Sequence, residues 1–344
     1  MENMNVLDRF SSIIEDDLKK QLKKMVKDGE GYHPFAGDVL RSLEEYLLRQ
    51  GRRIASSSTL MVYNGYTSQI DDRITRAGSS IELYRHSILA HDDIADAEMF
   101  RRGGKTLHKL FEEGYDEHFG IGTAIFAGNM LYSFSLQTML QSGFDDDKLK
   151  DVVNLLASGY KDVNESQILD LLFEYKTPTV EEWSAMASKR AASLFRASML
   201  AGAILASAPK RDLTLLEHAS RHIGYAFDIQ DDIIDTFAVK EEYGREPGGD
   251  LLKRKKPLHI ILAMQKEPSI ASLIEGGTDV AEVDILRIRE LIRDCGALDE
   301  AKSISRQHGK EAKELISLTE MDQGTKGSLI ALINYVEESL DWYR

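Results

Sequence analysis

Six aspartates in two like-spaced groups carry most of the chemistry that this chain could perform. Asp92, Asp93 and Asp96 form the first group, DDIAD, at the end of an apolar run. Asp231, Asp232 and Asp235 form the second, DDIID, at the end of the run GYAFDIQ. On a helix Asp92 and Asp96 project from one face, with Asp93 turned by roughly 100°. Carboxylates so placed suit a hard cation such as Mg²⁺, which takes oxygen ligands and shares its shell with phosphates. Arg101 and Arg102 follow the first group, and Gly103 and Gly104 are expected to end the helix there. Arginine forks phosphate oxygens bidentately, so metal-binding anions and phosphate-binding cations lie side by side. A single DDxxD in an acidic chain is also what a solvated helix face looks like. The second copy shifts the balance, because adjacent carboxylates on two apolar helices repel unless cations offset them.

The bulk numbers limit what such a site serves. A hydrophobic fraction of 42% over 344 residues supports a large core, and with only 6 prolines and no Pro/Ser/Gly linker the expectation is one helical domain, 1–344. The net charge of −14 is the wrong sign for a general nucleic-acid binder. The single cysteine, Cys295, excludes an intramolecular disulfide and fits a reducing cytoplasm. MENMNVLDRF has neither the basic start nor the apolar core of a signal peptide. No uninterrupted apolar run of about 18 residues is evident, so a transmembrane segment is not expected.

The elements that must position the aspartates read as helices throughout. Apolar spacings of three and four run over residues 5–28 until Gly29 and Gly31, and Pro34 opens a second helix that ends at Gly51. Residues 74–100 hold the first cluster; residues 120–140, apolar and rich in small side chains, read as a central helix. Further helices are expected over 147–174 and, after Pro178, over 180–208. Glycine, proline and charge break the pattern over 237–257. No run alternates with period two, so strands are not expected.

Asp92–Asp93–x–x–Asp96 with Arg101–Arg102–Gly103 resembles the first aspartate-rich motif of the trans-prenyl diphosphate synthases (polyprenyl synthetases). Gly224 to Asp235, GYAFDIQDDIID, resembles the second, and Gly244–Arg245, Asp250 and Lys255–Lys256 resemble the basic loop after it. Weaker echoes lie at Gly51–Arg52–Arg53, Gly128–Asn129, Ser166–Gln167–x–x–Asp170 and Ala191–Ala192–Ser193–Leu194–Phe195, in the family's order over roughly residues 40–344.

The resemblance implies an all-α fold of the isoprenoid synthase type, with central helices around a deep cavity, usually as a homodimer. It implies condensation of an allylic diphosphate with isopentenyl diphosphate, with about two or three Mg²⁺ ions per active site. Asp92, Asp96 and Asp231 would hold the metals, with Asp93, Asp232 and Asp235 supplementing that shell. Arg101, Arg102, Arg245 and Lys255 would take up diphosphate charge, and Arg52, Arg53, Arg85, Lys189, Arg190, Gln167 and Asp228 would complete substrate binding. Arg101 and Lys255 join Asp92, Asp96 and Asp231 as the catalytic set. No Ser–His–Asp set or reactive thiol is needed. His91, next to Asp92, reads either as a group that hydrogen-bonds a neighbour of the metal ligands or as a satisfied core histidine.

Departures from the family pattern concentrate on the acceptor side. The usual arginine of the glycine-rich basic loop is Ala55, and the usual histidine before the first cluster is Arg85. One reading is compensation, a guanidinium lost from the loop and regained on the helix; the other pairs Arg85 with Glu82, three residues away. Arg190 and Ala191 stand where a Lys-Thr pair is usual, and Asp228 where glutamine is commoner. Side chains before the first cluster line the tail cavity in this family. Ser87 and Ile88 are not aromatic, and Tyr84 is the next bulky group, one turn of about 5.4 Å deeper. The expected product is therefore longer than C15, C20 first and C25 next, unless Tyr84 points into ordinary core. The alternatives are a related class I prenyltransferase or cyclase with another acceptor, and a non-catalytic regulatory subunit. The intact DDIID and the completeness of both clusters stand against them.

Overall fold

The computed structural model describes residues 2–49, 51, 53–238, 248–275 and 282–338, and Arg52 and Arg245 lie outside the described residues. The chain divides into two compact units. The first comprises Met1–Tyr160, Ala197–Leu213 and Glu320–Leu329; the second comprises Lys161–Arg196, Thr214–Thr319 and Ile330–Arg344. Asp92 to Asp96 belong to the first, Asp231 to Asp235 to the second.

Helices α1 (Glu2–Tyr32), α2 (Pro34–Leu48), α3 (Ile54–Thr67), α4 (Asp72–Ala95), α5 (Leu107–Glu112) and α6 (Glu117–Leu140) make up most of the first unit. α1 buries Leu7, Phe10, Ile14, Leu18 and Leu22, a stripe at helical spacing, and packs on α2, α3 and α4. It runs through Gly29 and Gly31 rather than stopping there, and a Cβ at Gly29 would collide with Leu40 of α2. This glycine permits close helix packing and is not a terminator. The carboxylate of Asp71 caps α4 by accepting from the backbone N–H of Arg73 and Ile74. α4 is buried on nearly every side, from Ile74 through Ala90, and packs chiefly against α6.

α4 ends at Ala95, short of the expected residue 100, with Asp96 as its C-cap. A two-stranded hairpin follows, β1 (Phe100–Arg101) against β2 (Gly104–Lys105), where no strand was expected. Its two-residue turn puts Arg102 at φ 52° and Gly103 at φ 77°, the left-handed pair that a tight hairpin requires. Two residues per strand are too few for a period-two signal, so only Gly103 marks the turn in sequence. α6 is the one described helix long and apolar enough, by length and composition, to cross a membrane. It packs on α4 and α5 within the first unit.

Helices α7 (Asp146–Tyr175), α8 (Val180–Ala187), α9 (Ala191–Leu205) and α10 (Lys210–Phe237) follow. The single helix expected over 180–208 is broken at residues 188–190, between α8 and α9. A Thr179–Glu182 capping box starts α8. α11 (Gly249–Leu252), α12 (Leu258–Lys266), α13 (Ser269–Glu275), α14 (Glu282–Asp294), α15 (Ala297–Ser317) and α16 (Gln323–Glu338) complete the chain. In the second unit α12 packs on α15 and α8 around a core that includes Trp183, Ile229, Ile233, Ile260 and Ile288.

Candidate active site

In the first unit the end of α4 is anchored by groups that the sequence did not single out. Asp93 is wholly buried, and its carboxylate accepts a 2.7 Å hydrogen bond from the Tyr46 hydroxyl of α2 and one from Arg101 Nε. Burial raises the Asp93 pKa, opposed by Arg101 and the Tyr46 hydroxyl. A second guanidinium nitrogen of Arg101 lies 3.2 Å from Asp92. Arg101 thus offsets the charge of the cluster itself, and Asp92 and Asp96 remain half-exposed. Arg49 holds the hairpin in place, donating to the carbonyls of Arg101 (3.0 Å) and Lys105 (2.8 Å).

Beneath this cluster a fully buried carboxylate, Glu82, gathers cations. Arg53 lies 3.1 Å away, Ser56 donates at 2.8 Å, and Arg85 stands at 3.8 Å. Burial works against ionisation of Glu82, yet neighbouring positive charge and the Ser56 hydroxyl hold its pKa at about 2. His86 contributes little of that charge near neutrality, since burial pushes its own pKa down to about 3. At the low pH where Glu82 itself would titrate, His86 is charged and is the largest of the lowering influences, ahead of Arg85 and Arg53. His86 Nδ1 lies 2.8 Å from the Glu82 carbonyl and must donate there, which leaves Nε2 to face Arg102 at 3.5 Å. Burial, and then the nearness of Arg85, lower the Arg102 pKa to about 10.

Three expectations need correction or refinement here. Arg53, expected to bind substrate, is 2% exposed and turned inward, donating also to the Leu47 carbonyl. Its left-handed backbone (φ 44°) at the start of α3 directs it there. Arg85 does stand within ion-pair range of Glu82, but its buried Nη1 has no hydrogen-bond partner among the described residues. His91 has both ring nitrogens in contact: Nε2 lies 3.2 Å from the Ile125 carbonyl and Nδ1 3.1 Å from the Tyr160 hydroxyl. Of the chain-length candidates, Tyr84 is buried against Tyr132 and Tyr160, with ring centroids at 6.3 and 6.0 Å. Ser87 bonds the Tyr84 carbonyl, and Ile88 is half-buried.

In the second unit the break between α8 and α9 aims Arg190 at α10. Its Nε lies 2.9 Å from Asp228, its Nη2 2.9 Å from Asp232, and its Nη1 3.8 Å from Asp170. Burial raises Asp228 to about 7 and Asp232 to about 6, even with Arg190 beside them. Lys255 pairs with Asp170 at 2.8 Å. Asp250 sits next to Asp235, and burial, reinforced by that neighbouring charge, lifts its carboxyl well above the usual range. Asp231 is exposed and Gln167 half-buried. Lys189 departs from expectation: it pairs with Glu165 and, at 3.0 Å, Asp162 on α7, not with the aspartate cluster. Lys256 donates to the carbonyls of Phe173 and Glu174.

Asp170, Asp228, Asp231, Asp232, Asp235 and Asp250 thus crowd with two cations, Arg190 and Lys255. An all-oxygen donor set short of positive charge fits a hard divalent ion. Residues 38–289 match the polyprenyl synthetase family. The chain belongs to that family. It is 26% identical to a short chain isoprenyl diphosphate synthase of Methanothermobacter thermautotrophicus, over 98% of this chain and 99% of the relative. It is 32% identical to a farnesyl diphosphate synthase of Bacillus subtilis, over 78% and 88% respectively. Its fold superposes on a geranylgeranyl pyrophosphate synthase from Corynebacterium glutamicum, solved with isoprenyl diphosphate and magnesium, with a TM-score of 0.91 at 24% identity over 97% and 99% of the two chains. The all-α isoprenoid synthase fold is therefore established, and this polyprenyl synthetase is an enzyme, a prenyl-transferring synthase. What sequence reasoning missed in it are Tyr46, a buried hydroxyl inside the apolar stripe of α2, and Arg49, the C-cap of that helix.

Proposed function

We propose that this synthase condenses an allylic diphosphate with isopentenyl diphosphate, in a Mg²⁺-dependent reaction, to give a trans-prenyl diphosphate longer than C15, C20 being the expected length. The observation that carries this reading is the pair of aspartate clusters, each with its own half-buried arginine, in a chain of this family. Asp92 and Asp96 in the first unit would hold Mg²⁺, as would Asp231 in the second, with Asp93 supplementing the first cluster and Asp232 and Asp235 the second. Bound there, the ion would neutralise charge that builds on the leaving diphosphate.

The residues of the chain do the remainder. Arg101 and Arg190 favour the ionised form of their carboxylates against the opposing effect of burial and orient them, and each can share its guanidinium with a phosphate oxygen. Lys255, held by Asp170, adds a point charge beside the second cluster. Arg85 and Arg102 supply the positive surface for the second diphosphate, in the role that the absent arginine at Ala55 would otherwise fill; the Nη1 of Arg85, which makes no hydrogen bond among the described residues, supports this. Arg245 and Arg52 extend these sets, and Gln167 and Asp228 position substrate through their neighbours. The carbon–oxygen bond of the allylic diphosphate breaks, the isopentenyl double bond attacks the resulting cation, and the departing diphosphate accepts the proton released. Water must be kept from that cation, which the apolar side chains around Ile88 and Tyr84 favour. Two copies are proposed to associate through α6, where Ile125 and Phe126 are 40% and 69% exposed.

Purified protein incubated with Mg²⁺, isopentenyl diphosphate and C5, C10 or C15 allylic diphosphates should yield elongated products ending at C20. A cyclic hydrocarbon would move the reading to the related class I chemistry, and no turnover with any primer to a regulatory subunit.

A further inference from the structure

A second group of ligand-type side chains lies in the second unit and shares no residue with the aspartate clusters. His222 comes from α10; His308 and Glu311, three residues apart and so on one face, come from α15. One donor atom of each lies within 4.8 Å of the other two, and all three residues are half-buried. His222 Nδ1 is 2.9 Å from His308 Nδ1, and His222 Nε2 is 3.2 Å from a Glu311 oxygen. A nitrogen–nitrogen contact this short is a hydrogen bond only if one ring supplies the proton and the other a lone pair. At least one imidazole is therefore neutral, the state that binds metals.

Surrounding groups fix these ligands. The Tyr225 ring stacks on His308, centroids 4.8 Å apart and planes 9° from parallel, and its hydroxyl bonds the Ser184 carbonyl at 2.8 Å. Gln307 donates to the other Glu311 oxygen at 2.7 Å. Metal-ligating side chains characteristically have their orientation set in this way.

We propose that His222, His308 and Glu311 form a site for a borderline divalent transition-metal ion of the zinc class, which ties α10 to α15. Two nitrogens and one oxygen suit such an ion, whereas the aspartate clusters, all oxygen, suit magnesium. Tetrahedral ligation at about 2.0–2.1 Å from each nitrogen sets them roughly 3.3 Å apart, so the rings separate by about half an ångström when the ion replaces the shared proton. Glu311, whose side chain is 41% exposed, can turn about its hydrogen bond from Gln307 to bring its other oxygen toward the same point.

The test uses the full chain, stripped of metal with chelator and returned to excess Mg²⁺ so that the aspartates are already served. Titration with Co²⁺ should show one equivalent bound, with the absorption bands of a nitrogen-ligated, low-coordinate ion. Zn²⁺ should displace it and raise the melting temperature. H222Q and H308Q, one on each helix, should each weaken Co²⁺ binding at least tenfold and abolish the Zn²⁺-induced rise, while far-UV circular dichroism shows them folded. Binding that survives in a folded H308Q, or no Co²⁺ binding in the presence of Mg²⁺, overturns the assignment. Should one variant fail to fold, the other and E311Q decide the question.

Discussion

A single guanidinium, that of Arg190, decides how the second aspartate cluster is charged. It faces Asp228 and Asp232, and two departures from the family pattern therefore meet: arginine where lysine is usual, and aspartate where glutamine is commoner. Replacing the fork by an apolar side chain would leave both carboxylates buried without their counter-charge. R190L should cost about 3–5 kcal/mol in chemical denaturation, the range for breaking one side of a buried ion pair. A loss below about 1 kcal/mol would show that water, not Arg190, solvates them. His86 provides a pH signature of the first unit. Its folded pKa is about 3 against the usual 6.5, so between those values the unfolded chain binds a proton that the folded chain does not. Stability from this group is complete above pH 6.5 and is lost as pH falls toward 3. From pH 6.5 to 5 this amounts to about 2 kcal/mol, at roughly 1.4 kcal/mol per unit. H86Q should remove that share of the slope in urea unfolding followed at the two pH values; an unchanged slope would contradict it. Tyr84 belongs to the same scale. Its ring meets Tyr132 and Tyr160, so Y84A should deepen the space by about one helical turn, roughly 5.4 Å, and lengthen the product by one isoprene unit. An unchanged product profile would return Tyr84 to the ordinary core.

At the scale of elements, the site depends on how closely two helices approach and where one of them breaks. A Cβ on Gly224 of α10 would collide with the backbone of Ala192 at the start of α9, next to the segment that carries Arg190. Only the missing side chain lets the guanidinium reach both carboxylates. G224A should destabilise the protein by about 1–3 kcal/mol, as overpacking does, and weaken substrate binding with it. A G224A enzyme with unchanged KM and unchanged unfolding midpoint would mean that α9 shifts at no cost. In the first unit Gly51 serves the same purpose at lower stakes. Its added Cβ would lie 2.8 Å from the Arg102 guanidinium carbon, the movable end of a long side chain.

Considered whole, the protein carries a formal charge of −14 and yet is read as handling anionic diphosphates. Local cations and bound metal must therefore overcome the general field. Removing divalent ions with chelator should abolish prenyl transfer while far-UV circular dichroism keeps its helical signal, and Mg²⁺ should restore turnover. Activity that persists under chelation would end the metal-dependent reading. The fold itself rests on interhelical packing, so it should survive that treatment.

The sequence by itself determined the helical class, the family and the two aspartate clusters, because apolar periodicity and short-range spacing are local properties of the chain. It also located the Arg85 and Asp228 departures. Tertiary structure alone decided which way the cations turn. Arg53 lies inward on Glu82, Lys189 lies on the surface acids of α7, and Tyr46 and Arg49 emerge as the anchors of the first cluster and its hairpin. The same holds for His222, His308 and Glu311, whose partnership spans residues far apart in the chain. Spacing along a chain fixes which face of a helix a residue occupies; what stands opposite that face depends on long-range packing, which no local pattern records.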